Sequence, residues 1–134
     1  MGGRRFRLQP LLEERRHREA ARRAEFAEAR RSHDAAAQLL RLLGARQQSG
    51  ACDLHACALR GSVADARHYD AMLRHLDQAC TRQNAQAGST AAALERAEGA
   101  LLSANRERRI VESFDRLRTD KLTALRYARE ERDD

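Results

Sequence analysis

Tryptophan is absent from this chain, proline occurs once, at Pro10, and isoleucine, valine and threonine together supply only seven of 134 residues. Strands want β-branched and aromatic side chains, so this scarcity excludes a β-sandwich, a barrel and a doubly wound sheet. Large apolar side chains are few as well. The 56 apolar residues include 26 Ala and three Cys, and the 27 that remain are too little bulk for a thick globular core. Ala, Leu, Arg and Glu dominate instead, and a third of all residues are charged, which is the usage of a long helix or coiled coil. The length allows one domain or one elongated element. The predicted class is all-α: an elongated antiparallel two-helix coiled-coil hairpin, treated as a single domain over residues 1–134.

Long hydrophobic runs are missing too. No stretch approaches the roughly 20 apolar residues that span a bilayer, so no direct membrane insertion is expected. The start, Met1 to Arg7, is basic, but it runs through Leu8, Pro10 and Leu12 into charge, without the apolar core of a secretory signal. Gly2 suggests myristoylation only weakly, because position 6 is Phe rather than Ser or Thr. Cys52, Cys57 and Cys80 cannot all pair within one chain, and free thiols in the cytoplasm are the default.

Charge is unevenly placed. Residues 1–46 carry 12 Arg against six acids, whereas residues 47–134 carry 14 basic and 14 acidic residues, so the whole net charge of +6 sits in the first third. All basic residues but Lys121 are Arg. A basic N-terminal helix suits nucleic acid, an anionic membrane or an acidic protein partner, and equally a solvated helix face.

Periodicity organises the chain into two helices. A heptad frame runs Leu8, Leu12, Arg15, Glu19, Arg22, Phe26, Ala29, His33, Ala36, Leu40, Leu43, apolar at both ends and polar between. Pro10 suits a first helical turn, where its missing N–H costs nothing. A second frame runs Leu73, Leu76, Cys80, Gln83, Ala87, Thr90, Leu94, Ala97, Leu101, Ala104, Arg108, Val111, then drifts to Phe114, Leu117, Lys121 and Leu125. Breakers cluster at residues 44–50 and at Gly61-Ser62, and Ser62 with Asp65 reads as a cap and first-turn acid. The spacing predicts helix 1 over about 9–60, a turn at 60–62 with a weak region at 44–50, and helix 2 over about 63–131. A turn near 48–50 is the alternative. With the turn at 60–62 the second helix is the longer one and overhangs the first.

Candidate chemistry is thin. Cys52, His55 and Cys57, with His68 and Cys80 downstream, hold zinc-ligand types, but on a helix the first three do not share a face. The plainer reading is that Cys57 and Cys80 fill small core sites. A two-helix hairpin offers no pocket to exclude water from a Cys–His pair, and phosphate loops, HExxH and GxSxG are absent. No enzyme, no catalytic residue, no metal and no cofactor are expected. Nucleic acid is the rival for the basic helix, since ten Arg lie between Arg4 and Arg31. Five interleaved acids, and only Phe6 and Phe26 to stack on bases, argue against it.

The segment from Phe6 to Glu25, with Pro10, Leu11, Leu12 and a charged run, resembles the start of the flagellar FliJ family. Residues 66–76 with Gln83, residues 92–97, and the stretch from Arg108 to Leu117 leading to the acidic end at Asp134 are similar to the rest of that family. The resemblance implies a cytoplasmic component, peripheral to the inner-membrane apparatus, of the type III protein export machine. Such proteins are two-helix stalks that insert into the export ATPase hexamer, regulate it and link it to the export gate membrane protein. They are also credited with escorting export chaperones. Injectisome stalk proteins of the YscO/HrpO group share fold and role and are the runner-up.

On this reading Arg15, Arg16, Arg22 and Arg23 on one helix, with Arg116, Arg118 and Arg126 on the other, contact the ATPase ring. The export gate meets Tyr69, Met72, Leu73 and Leu76, four large apolar residues within eight positions, more than one seam needs, so at least one is expected to stay exposed. The seams predict a monomer.

Overall fold

The structure, a computed structural model, describes residues 8–134. Gly2, Arg4, Arg5, Phe6 and Arg7, which entered the reading of the basic start, lie outside the described residues. Two helices, α1 (Gln9–Arg60) and α2 (Val63–Asp133), account for nearly everything described, and no strand occurs among the described residues. The fold is an all-α helical hairpin.

Helix α1 opens with Pro10 in its first turn, and the Leu12 amide donates to the Leu8 carbonyl at 2.8 Å. Proline costs nothing there because first-turn amides have no intrahelical acceptor. The helix then runs unbroken through residues 44–50 and ends at Arg60. Its end is a Schellman cap: the Gly61 amide donates to Ala58 O and the Ser62 amide to Cys57 O, each at 3.2 Å. Gly61 has φ +73°, a conformation that a Cβ would oppose. Ser62 then begins α2, its carbonyl accepting from Ala66 N at 3.0 Å and its hydroxyl donating to Asp65 Oδ2 at 2.9 Å.

Tertiary contacts divide the chain into two units: a turn unit of residues 27–96, and an end unit of residues up to 26 together with 97–134. In the turn unit the helices run antiparallel. His33 Nδ1 lies 3.4 Å from Thr90 Oγ1, Gln83 donates to Ala36 O at 3.1 Å, and Cys80 Sγ donates to Gln47 Oε1 at 3.6 Å. Its buried positions, Ala36, Gly50 and Cys57, are all small, so the helices approach closely. In the end unit, Leu12 and Glu19 of α1 and Ala104 and Val111 of α2 are buried. Alternation of three- and four-residue steps keeps such a stripe against the partner. Every member of the first frame from Leu12 to Leu43, and every member of the second from Leu73 to Val111, is buried or half-buried.

Candidate functional site

The centre of the end unit is a buried charge. Glu19 stands in the seam with only 4% of its surface exposed. Its carboxylate accepts from Arg108 Nε, from Arg23 Nη2 at 2.9 Å and from Asn105 Nδ2 at 3.3 Å. Arg108 in turn donates through Nη1 to Glu112 at 2.7 Å. Burying a carboxylate without such partners is costly, and here no buried side-chain N or O atom among the described residues lacks a hydrogen bond. Burial pushes the Glu19 carboxyl up, but hydrogen bonds from Arg108 and Asn105 and the charges of Arg108 and Arg23 outweigh it, so its pKa lies below the ordinary value. The Arg108 hydrogen bond likewise holds Glu112 down against a smaller push from burial, with the charges of Arg108, Arg16 and Arg116 adding to the effect. Hydrogen bonds to Glu112 and Glu19 raise Arg108 against the opposing effect of burial.

The α1 arginines predicted to meet a partner are already engaged. Arg15 pairs with Glu107 at 3.1 Å, Arg16 with Glu112 at 3.6 Å, Arg22 with Glu25 at 2.9 Å and Arg23 with Glu19 at 2.9 Å. Arg18 joins Glu14 and shares Glu107 with Arg15. Outside the Glu19 cluster these are solvent-exposed or half-exposed pairs, each worth about 0–1 kcal/mol, so a partner's carboxylate competes on nearly equal terms.

Past the pairing of Arg16 with Glu112, α2 continues to Asp133, beyond the first turn of α1. Residues 119–134 are exposed throughout. Among the large apolar side chains, Phe114 (57%), Leu117 (65%), Leu122 and Leu125 (51% each) lie open to solvent. The spacing of Phe114, Leu117 and Leu125 places them on one side of the helix, with Leu122 at its edge. Arg116 and Arg126 are exposed within this stretch, and Arg118 is half-buried. Leu122, Leu125, Arg126 and Arg129 line a surface depression there. Three of the seven predicted ring-contact arginines thus belong to this extension, and four to the ion-paired α1 segment.

In the turn unit, Tyr69, Met72, Leu73 and Leu76 are all half-buried. Met72 Cε and Leu73 Cδ2 close over Gly50, and the Tyr69 ring meets His68 edge-on at 5.7 Å. The expectation that at least one of the four stays exposed is therefore not met, because they pack toward α1; the open apolar side chains near the turn are Leu59 and Val63, 76% and 63% exposed. Cys52 is exposed whereas Cys57 is buried, so the cysteine–histidine run does not converge, and no group of three metal-ligand side chains gathers among the described residues.

Glu19 and Arg108 are not among the sequence-predicted site residues. The signal was present: Glu19 and Arg108 each occupy a seam position of their own heptad frame, and opposite charges in facing seams meet when the helices run antiparallel.

No helix among the described residues is long and apolar enough to cross a membrane. Comparison with curated proteins and with solved structures found no match. The family model described as flagellar FliJ protein matches residues 4–133. That span takes in both helices and the turn between them, and so the chain belongs to the flagellar FliJ family, whose members are non-catalytic components of flagellar protein export.

Proposed function

We propose that this chain is the stalk and coupling component of the flagellar type III export apparatus, with no enzymatic activity of its own. The end unit inserts into the export ATPase hexamer and regulates it. The turn unit, through the side of Tyr69, Met72, Leu73 and Leu76, contacts the membrane-embedded export gate. The protein works in the cytoplasm as a monomer, peripheral to the inner membrane, and it escorts export chaperones.

The observation that carries this reading is the stretch of α2 past Glu112, where Phe114, Leu117, Leu122 and Leu125 stand exposed beside Arg116 and Arg126. Exposed apolar residues on a helix that also carries cations suit insertion into a protein-lined, acidic hole. Membership of the flagellar family favours this machine over its injectisome counterpart. Nucleic acid is a poorer partner, because the carboxylates of Glu13, Glu14, Glu19, Glu25 and Glu28 are interleaved with the arginines of α1 and repel phosphates.

Stimulation of ATP hydrolysis by the purified flagellar export ATPase tests the proposal. Reversing Arg15, Arg16, Arg22 and Arg23 would also break the Arg15–Glu107 and Arg16–Glu112 pairs between the helices, so the informative variant is Arg116→Glu/Arg126→Glu/Leu122→Ser/Leu125→Ser. It should keep its helicity and lose most of the stimulation. Full stimulation by this variant removes the α2 extension from the mechanism.

A further inference from the structure

Helix α2 outlasts the surface that covers it. In the end unit its α1-facing side runs through Ala104, Arg108, Val111, Asp115 and Arg118, each buried or half-buried. Phe114 and Leu117, toward which the sequence frame drifts, are exposed instead. The steps from Ala104 are four, three, four and three residues, the spacing that holds one side of a helix against a partner. Carried onward, the same steps reach Leu122, Leu125 and Arg129, beyond the start of α1 at Gln9. All three are exposed, and together with Arg126 they line the depression on this stretch. The seam therefore continues with two leucines past the first turn of α1.

Charge changes along this seam. In its covered part Arg108 is matched by Glu19 and Glu112. Over residues 119–131 the seam side holds Leu122, Leu125, Arg126 and Arg129 and no acid. Asp120, Glu130 and Glu131 stand about a quarter of a turn or more away round the helix. Apolar surface bordered by cations selects its occupant. A second copy of this chain would set the same arginines against each other. Residues 1–7 hold Arg4, Arg5 and Arg7 without an acid and meet the same repulsion. Phosphates would answer the arginines but leave both leucines against a polar backbone. A helix with an apolar stripe and acidic flanks satisfies both kinds of side chain at once.

We propose that this seam side is the docking site for one amphipathic helix of the export ATPase, which meets Leu122 and Leu125 with apolar side chains and Arg126 and Arg129 with carboxylates. The bound helix extends the coiled coil of the end unit past the first turn of α1. The proposal rests on insertion of the end unit into the ATPase and adds to it a single face. Ile110 and Leu117, exposed on the back of α2, take no part.

Binding of the full-length protein to the purified export ATPase reads the difference. Leu122→Ser/Leu125→Ser should weaken it about tenfold or more, the effect of exposing two leucines that the complex buries. Arg126→Gln/Arg129→Gln should weaken it too, with a shallower dependence on salt. Ile110→Ser/Leu117→Ser removes comparable apolar surface from the back and should change affinity by less than about threefold. All these positions are exposed, so each variant should keep the helical signal of the native chain. A photoreactive residue at 122 or at 129 should cross-link to one acidic helical segment of the ATPase, at sites about seven residues apart. A back variant that loses as much affinity as the front one overturns the docking face yet leaves insertion standing. Normal binding by all three variants overturns insertion and this face together. Cross-links to a second copy or to residues 1–7, or binding that nuclease treatment abolishes, overturn the proposed occupant.

Discussion

Gly50 of α1 faces Leu73 of α2 so closely that a Cβ on the glycine would lie 3.1 Å from Leu73 Cδ2, and as near to Met72 Cε. Both neighbours are the far ends of flexible side chains, so one methyl group is accommodated by shifts of a few tenths of an ångström. Gly50→Ala should therefore change stability by less than about 1 kcal/mol, since its better helix propensity offsets the crowding. Gly50→Leu overpacks the same place and should cost about 1–3 kcal/mol, read as a lower denaturation midpoint in urea.

Gly61 is constrained by conformation instead of space, because nothing lies within 4 Å of a Cβ placed there and its φ is +73°. Gly61→Ala should cost about 1–2 kcal/mol, and Gly61→Asn less, since Asn tolerates the left-handed region. Thermal unfolding followed by circular dichroism separates the two, and equal loss in both would remove the backbone explanation.

Leu12 is the most deeply buried large apolar side chain of the end unit among the described residues, being 2% exposed. Leu12→Ala should destabilise by about 2–5 kcal/mol, whereas Leu102→Ala, at a half-open position, should stay within about 0.5 kcal/mol. Amide exchange after the first substitution should quicken in residues 9–26 and 97–118 before it quickens around the turn.

Acid should loosen the end unit. Glu19 and Glu112 have folded pKa values below their ordinary ones, so near and below those values the unfolded chain binds more protons than the folded one. Their stabilisation is complete above the unfolded carboxylate value of about 4.3, and it is lost as pH falls through the depressed folded values. A urea midpoint measured from pH 7 down to pH 2 should drop in that window. In Glu19→Gln/Glu112→Gln the drop should be shallower from a lower starting point. A slope unchanged by the double substitution would assign acid sensitivity to other carboxylates.

The proposed gate contact makes a separate demand on the turn unit. Tyr69 and Met72 are half-buried, so Tyr69→Ala/Met72→Ala should lower the melting temperature only modestly while abolishing binding to the purified gate protein and leaving ATPase stimulation intact. A large melting shift with gate binding preserved would make both residues ordinary packing. Leu59 and Val63, more exposed than either, would then be the side chains to replace next.

Helix type and seam were legible in the sequence because periodicity is a property of one chain segment at a time. The three-and-four spacing from Leu12 to Leu43 and from Leu73 to Val111 needs no knowledge of a partner. Gly61 and Ser62 likewise announce a helix end locally, through a residue free to adopt positive φ followed by a capping hydroxyl. The breakers at 44–50 carried the same local signal for a turn. Only the folded pair decided against it, by using Gly50 for a close approach of α2 while α1 continues to Arg60.

What the tertiary structure alone decided is which charges are buried and which arginines are engaged. The sequence marked Arg15, Arg16, Arg22 and Arg23 as contacts for a partner, yet in the fold they already have carboxylates from both helices: Glu107 and Glu112 on α2, Glu19 and Glu25 on α1. Glu19 and Arg108 are 89 residues apart. Whether they meet depends on register, which the turn at Gly61 and the contacts of the packed pair set together. Local pattern fixes the helices, but the pairing of charges across them is a property of the fold.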